Sequence, residues 1–313
     1  MIDRELFPDP LSLDPFPYES VAGVTCEVLR PPGEVRGNVV ALHGILSDSR
    51  SYRGFMRPFT SRGWAVYAVN YPHHGPDYCS RNIRGLRAND CLEAARAVVR
   101  EVGDAIVIGK SFGGLMAQAL AHEPDVRATV LLASSPPPGI RYTPKWREAL
   151  PFLVRLGPRT LMQLLTQRTF LFSYEFCRRY IYNAAESDEQ ARAWHGSNPE
   201  SVWLVWDQVR YRIPVFPERR EAPMLVTVGS DDPGLPVNLQ LQTANLWGAE
   251  FHEFPGHSHM LTLEPGWERI CLQLLQWLDT RVPAVPAKPV AVKTPSSSPD
   301  SLASGGEELR VVG

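Results

Sequence analysis

Cysteine is scarce and unpatterned: Cys26, Cys79, Cys91, Cys177 and Cys271 are scattered over 313 positions with no CxxC pair. An odd, dispersed set argues against a disulfide framework and against a zinc site, and it fits a reducing compartment. Cys91 and Cys271 sit in apolar helical contexts and read as core residues. No apolar run reaches the ~18 residues that a membrane-spanning helix needs. The N-terminal segment is charged and contains proline, and it lacks the apolar stretch of a signal peptide. Charge of one sign is lacking too, since the formal net charge is -2. That balance points away from nucleic acid and from an anionic membrane surface. The basic pairs Arg178-Arg179 and Arg219-Arg220 are too short to change this. No internal repeat is visible. The expectation is a cytoplasmic protein with no stable membrane insertion and no nucleic-acid partner. The sequence leaves its oligomeric state open.

What is present is ample core material, with 44% hydrophobic residues, enough for one large domain carrying an insertion. Short apolar runs read as buried strands over residues 38–42, 64–70, 105–108, 128–133 and 224–228. A shorter one covers Phe251 to Phe254. Between several of them lie helical patterns. Ala88, Cys91, Leu92, Ala95, Val98 and Val99 recur at helix spacing, and Leu115 to Ala121 consists of strong helix formers. Strand and helix in alternation predict an α/β architecture, a mostly parallel sheet with helices on both faces. Functional groups in such sheets gather beyond the carboxyl ends of the strands. From Pro136 to Arg220 the alternation stops. The segments Leu150 to Leu165 and Phe170 to Tyr182 read as helical, and no clear strand appears. We therefore expect a core made of residues 1–135 and 221–282, with a helical cap insertion over 136–220. Residues 283–313 are rich in proline and serine, and they predict a disordered tail.

The sharpest local pattern is Gly109-Lys110-Ser111-Phe112-Gly113, a G-x-S-x-G after an apolar run and before a helix-forming one. A nucleophile on so tight a turn crowds its neighbours two residues away, and glycine at 109 and 113 relieves the crowding. The helix that follows points its N-terminus at the same spot, which favours developing negative charge. Alone the pattern is weak, because a plain strand-to-helix turn with an exposed serine would also produce it. Gly109-Lys110-Ser111 is not a phosphate-binding loop. The required glycine five positions earlier is Asp104, and the nearest, Gly103, is one too far.

Other loops at strand ends supply partners. After the first strand, His43-Gly44-Ile45 offers a backbone N–H from Ile45, which with that of Phe112 would make an oxyanion hole. The side chains of His43, His73 and His74 read as loop scaffolding. After the strand over 224–228 come Asp231 and Asp232, both candidate acids, with Asp232 opening the turn Asp-Pro-Gly-Leu-Pro. Merely capping the next helix is the plainer role for either. After the last short strand come His257 and His259, both candidate bases, whereas His252 alternates into the strand and reads as structural. Serine, then acid, then histidine along the chain is one of the known orders of a hydrolytic triad.

These pieces resemble the α/β-hydrolase superfamily over most of residues 20–282, and most of all its soluble, cap-bearing esterase and lysophospholipase-like members. The matching segments are Leu42-His43-Gly44, His74-Gly75, residues 109–114, Asp232 to Pro236, and His259 to Trp267. The resemblance selects Asp232 by its spacing to Leu235-Pro236, and His259 by its spacing to Glu264. It implies the α/β-hydrolase fold and a serine hydrolase cleaving a carboxylic ester or thioester. Ser111 would be the nucleophile, with His259 and Asp232 completing the triad and Phe112 and Ile45 N–H groups holding the oxyanion. No cofactor and no metal are called for, and the partner is a small-molecule acyl ester or thioester. A lyase or C–C hydrolase on the same scaffold, or a non-catalytic ligand-binding member, is the alternative, because the fold fixes the site better than the substrate. Lys110 is a departure, standing where many relatives carry His, Tyr, Asp or Glu. The cap residues Phe170, Phe172, Tyr174, Tyr180, Tyr182, Trp194, Trp203 and Trp206 suggest an apolar pocket, or simply the packing of cap on core.

Overall fold

The computed structural model describes residues 3–140, 157–210 and 212–282. Eight strands form one sheet: β1 (Tyr18–Val21), β2 (Val24–Leu29), β3 (Gly37–Leu42), β4 (Trp64–Val69), β5 (Ala105–Lys110), β6 (Val126–Leu132), β9 (Met224–Gly229) and β10 (Glu250–Phe254). Their order across the sheet is β1-β2-β4-β3-β5-β6-β9-β10. From β4 to β10 every pairing is parallel, while β2 pairs antiparallel with both β1 and β4. This is the α/β-hydrolase fold.

The central strands β3, β4, β5 and β9 are buried at every position. That is why they read as near-continuous apolar runs rather than as alternating ones. Side chains still alternate between faces. Val40, Leu42, Tyr67 and Val107 face the helices α2 (Ala88–Val102) and α3 (Phe112–Leu120). Val39, Ala41, Val66 and Ile106 face α1 (Arg53–Ser61) and α9 (Trp267–Arg281). The remaining core helix, α8 (Val237–Trp247), joins β9 to β10.

Strands β1 and β2 are not announced by the hydrophobic pattern. In β2, Glu27 interrupts the apolar run, yet it is fully buried. Arg53 donates to it at 2.6 Å, Ser49 Oγ at 2.7 Å and the Phe16 amide at 2.9 Å. A buried carboxylate is tolerable only with partners of this kind, and the decisive one lies 26 positions away.

Between β6 and β9 lie helical turns over residues 157–166 (α4), then β7 (Thr169–Phe170), α5 (Tyr174–Tyr180), α6 (Ser187–His195), β8 (Glu200–Ser201) and α7 (Val202–Val209). Two expectations need correction. The helix expected over Phe170 to Tyr182 is shorter, because Ser173 caps it by accepting from the Phe176 amide at 3.2 Å, the expected behaviour of serine at an N-terminus. Phe170 instead pairs with Glu200 in the two-stranded ribbon β7-β8, in a segment expected to hold no strand. Part of the helix expected over Leu150 to Leu165 lies outside the described residues, as does the tail 283–313. Among the described residues, no helix is long and apolar enough to cross a membrane.

Candidate active site

Ser111 sits between the end of β5 and the start of α3 with φ 54° and ψ -117°. Positive φ is unfavourable for serine, and such strain persists only where the surroundings dictate it. Here the dictation is steric and hydrogen-bonded. A Cβ on Gly109 would run into the Gly113 carbonyl, and one on Gly113 would run into the Leu42 carbonyl. The Ser111 amide donates to the Leu132 carbonyl at 3.0 Å, and its own carbonyl accepts from Gly114 at 2.9 Å and from Ser135 at 2.9 Å. The turn is therefore pinned to β6 on one side and to α3 on the other.

The candidate acids and bases separate clearly. Asp232 is buried, at 2% exposure, whereas Asp231 is exposed. Asp232 Oδ2 lies 2.8 Å from His259 Nδ1. Its Oδ1 accepts from the amides of Gly234 at 2.8 Å and Leu235 at 2.9 Å. The Asp-Pro-Gly-Leu-Pro turn thus orients one carboxylate oxygen and leaves the other for the imidazole. Asp231 Oδ1 accepts instead from its neighbour Ser230 Oγ at 2.8 Å. His257 faces away from Asp232, with its Nδ1 3.2 Å from Glu264 Oε1. The same Glu264 oxygen accepts from the Ser258 amide at 2.9 Å. The two loops are also stitched backbone to backbone, Asp231 N–H donating to the His257 carbonyl at 2.9 Å. Gly256 N–H adds a bond to Ser230 Oγ at 2.8 Å.

Ser111 and His259 line one cavity of about 220 Å³, together with Gly44, Ile45 and Lys110. Gly44 approaches the Ser111 turn closely enough that a Cβ on it would lie 3.2 Å from Ser111 Cβ. From the segment between β6 and β9 the cavity receives Phe172, Phe176, Tyr180 and Tyr182. Of the eight aromatic residues that suggested a pocket, three line it. Phe170 is buried, Trp194 donates to the Phe172 carbonyl at 3.0 Å, and Trp206 donates to the Leu164 carbonyl at 3.1 Å. Trp203 lies under the Arg87 guanidinium. Phe176 was not anticipated; its position one helical turn after Phe172 is the signal that could have shown it.

Lys110 is buried, and its Nζ contacts Met260 Sδ at 3.4 Å. Burial pulls its pKa from 10.5 down to about 7, while the charges of Glu264 and Asp48 act the other way. Glu200 was not anticipated, whereas His74 was read as loop scaffolding. His74 Nε2 meets Glu200 Oε2 at 2.8 Å, both side chains buried, and the same oxygen accepts from the Leu46 amide at 3.2 Å. Among the described residues no cluster of His, Cys, Asp and Glu could hold a metal ion.

Comparison with known proteins agrees with the fold. The model of the alpha/beta hydrolase family matches residues 39–268. A Mycoplasma pneumoniae protein provisionally named esterase/lipase 2 is 27% identical over 107 residues. That match spans 33% of this chain and 39% of the relative's length. Among solved structures, MenH from S. aureus aligns with TM-score 0.62 at 19% identity, covering 82% of this chain and 98% of that one. Tomato methylketone synthase I, solved with 2-tridecanone, aligns with TM-score 0.65 at 15% identity over 79% of this chain and 99% of that one. Paleococcus ferrophilus monoacylglycerol lipase aligns with TM-score 0.61 at 19% identity over 82% and 99%. At these identities the solved structures speak for the fold.

Proposed function

Because the chain belongs to the alpha/beta hydrolase family, we propose that it is a serine hydrolase cleaving a carboxylic ester or thioester through an acyl-enzyme. The observation that carries this reading is the 2.8 Å contact of His259 Nδ1 with Asp232 Oδ2, on a base that shares one cavity with Ser111. In this reading His259 Nε2 removes the Ser111 proton as the hydroxyl attacks the carbonyl carbon. Asp232 fixes the imidazole tautomer and stabilises the imidazolium that forms. The N–H groups of Phe112 and Ile45 hold the oxyanion, at roughly 3 to 4 kcal/mol for each donor. The imidazolium then protonates the leaving alcohol or thiol, and water releases the acyl group by the same steps in reverse.

The apolar wall formed by Phe172, Phe176 and Tyr180 favours an apolar acyl or aromatic group. We read residues 1–135 and 221–282 as the catalytic core and 136–220 as its cap, and we read the enzyme as cytoplasmic. The test is stoichiometric labelling by a fluorophosphonate, located at Ser111 by mass spectrometry, followed by a panel of acyl esters and thioesters. Labelling with turnover supports the reading. Absence of labelling in the folded protein removes it. Labelling without ester or thioester turnover moves the chemistry to a lyase or C–C hydrolase.

A further inference from the structure

Two histidines beside the Gly44-Ile45-Leu46 loop are held in opposite protonation states by their hydrogen bonds. His43 Nδ1 lies 2.7 Å from the Gly44 carbonyl, and its Nε2 lies 3.4 Å from the Tyr71 amide. A carbonyl only accepts and an amide N–H only donates, so this ring carries one proton, on Nδ1, and is neutral. Burial, and next the nearby His74, pull its pKa down to about 3. His74 Nδ1 lies 3.1 Å from the Pro72 carbonyl and its Nε2 lies 2.8 Å from Glu200 Oε2. Both partners only accept, so both nitrogens carry protons and the ring is an imidazolium. Burial opposes that charge, but the Glu200 carboxylate outweighs it by charge and hydrogen bond, with help from Pro72 and Asp48, and the pKa is raised. The two rings lie 5.0 Å apart.

Glu200 reaches this pair from β8, in the segment between β6 and β9. Its Oε2 also accepts from the Leu46 amide at 3.2 Å, across 154 positions of sequence, and its Oε1 accepts from the Ser201 amide at 2.8 Å. Leu46 has φ 60°, a left-handed backbone that leucine disfavours and that the Glu200 bond helps to hold. Ile45 lies between two anchors. The Gly44 carbonyl and the Ile45 N–H belong to one planar trans peptide, so the His43 ring that grips the carbonyl also aims the N–H in the opposite direction. A hydrogen bond into that carbonyl polarises the N–H and strengthens it as a donor. The next peptide N–H, that of Leu46, is fixed by Glu200.

We propose that Glu200 is a positioning residue for the oxyanion donor: its carboxylate, paired with the His74 imidazolium, locks the Ile45-Leu46 backbone, so that seating of the segment bearing β8 against the core completes the oxyanion hole. This rests on the reading of Ile45 N–H as that donor. Glutamine cannot replace the carboxylate, because it offers one accepting oxygen where three donors converge and adds an N–H of its own.

The experiment compares wild type with Glu200→Gln, each shown folded by circular dichroism. The readouts are kcat and KM on one aryl ester, and the rate of fluorophosphonate labelling of Ser111. The expected result is a fall in kcat of about tenfold or more with KM within about twofold, and labelling slowed in parallel, since only the transition state makes the oxyanion contact. A purely structural role would lower the melting temperature and leave kcat of the folded protein unchanged, which overturns the proposal. Should Glu200→Gln fail to fold, His74→Gln takes its place with the same expectation. Nitrogen-15 NMR of wild type reads the ring directly: His74 doubly protonated at neutral pH supports the clamp, and a neutral ring overturns it. Failure of the wild type to label would instead remove the serine-hydrolase reading itself.

Discussion

Replacing Lys110 by methionine should stabilise the fold, and by an amount that shrinks as pH rises. The amine is 2% exposed, its contact is a thioether, and burial brings its pKa from 10.5 to about 7. In the unfolded chain it binds a proton below 10.5; in the folded chain it does so only below about 7. Between those values the unfolded state holds more protons, so the lysine's penalty is largest below about pH 7 and fades as pH rises toward 10.5. One proton gives a slope of about 1.4 kcal/mol per pH unit. From these two pKa values, the penalty is about 4 kcal/mol near pH 7.5 and falls to about 1 to 2 kcal/mol near pH 9.5. Methionine has a similar volume and no charge, so its packing effect is the same at both pH values and cancels. The assay is urea unfolding followed by tryptophan fluorescence, wild type and Lys110→Met side by side at both pH values. The stability advantage of the variant should fall by roughly 2 to 3 kcal/mol over that step. An advantage that does not change with pH would mean that the amine keeps its ordinary pKa, and it would refute the reasoning. Turnover should survive the change with an altered pH profile.

Ser111→Ala should lower ester turnover by about a thousandfold or more in a protein that stays folded, read as kcat; near-normal turnover would end the serine-hydrolase reading. His259→Ala should lose about as much as Ser111→Ala, while His257→Ala, whose imidazole meets Glu264 and not Asp232, should lose about tenfold or less; the reverse ranking would move the base to His257. Gly113→Ala forces a methyl into the Leu42 carbonyl and should destabilise the protein by about 1 to 3 kcal/mol or prevent folding, measured by urea unfolding; an unchanged midpoint would show that the turn has slack.

What the sequence made legible follows from range. Ser111 is announced by its own neighbours, because Gly109 and Gly113 are demanded by contacts within the turn and with the adjacent strand. The central strands are legible because both of their faces are covered, so apolar residues dominate them and polar ones such as Asn38 and Thr227 are few. The choice of Asp232 and His259 came from the family resemblance, through spacing within their own loops, and Gly234 and Leu235 do orient the Asp232 carboxylate locally. Where a residue's role depends on a partner far along the chain, local reading failed. Strand β2 went unread, and its buried Glu27 is held by partners that include Arg53, 26 positions along the chain. Ser173 shortened a helix that apolar periodicity alone had extended to Phe170.

The same rule explains the groups around the site. The partner of Lys110 has no local sign: the residue ends the buried strand β5, and its amine meets Met260, 150 positions away. His43 and His74 look alike in sequence, each preceding a glycine in a loop that follows a strand. Their protonation states differ because one ring faces a carbonyl and an amide, and the other faces a carbonyl and a carboxylate. The carboxylate belongs to Glu200, which nothing nearby in the sequence connects to a histidine. A loop so close to Ser111 is thus bonded to a residue from the segment between β6 and β9. On the proposed reading, changes in that segment have two routes to activity: the apolar wall that Phe172 and Phe176 lend to the cavity, and the backbone of Leu46, through a single buried carboxylate.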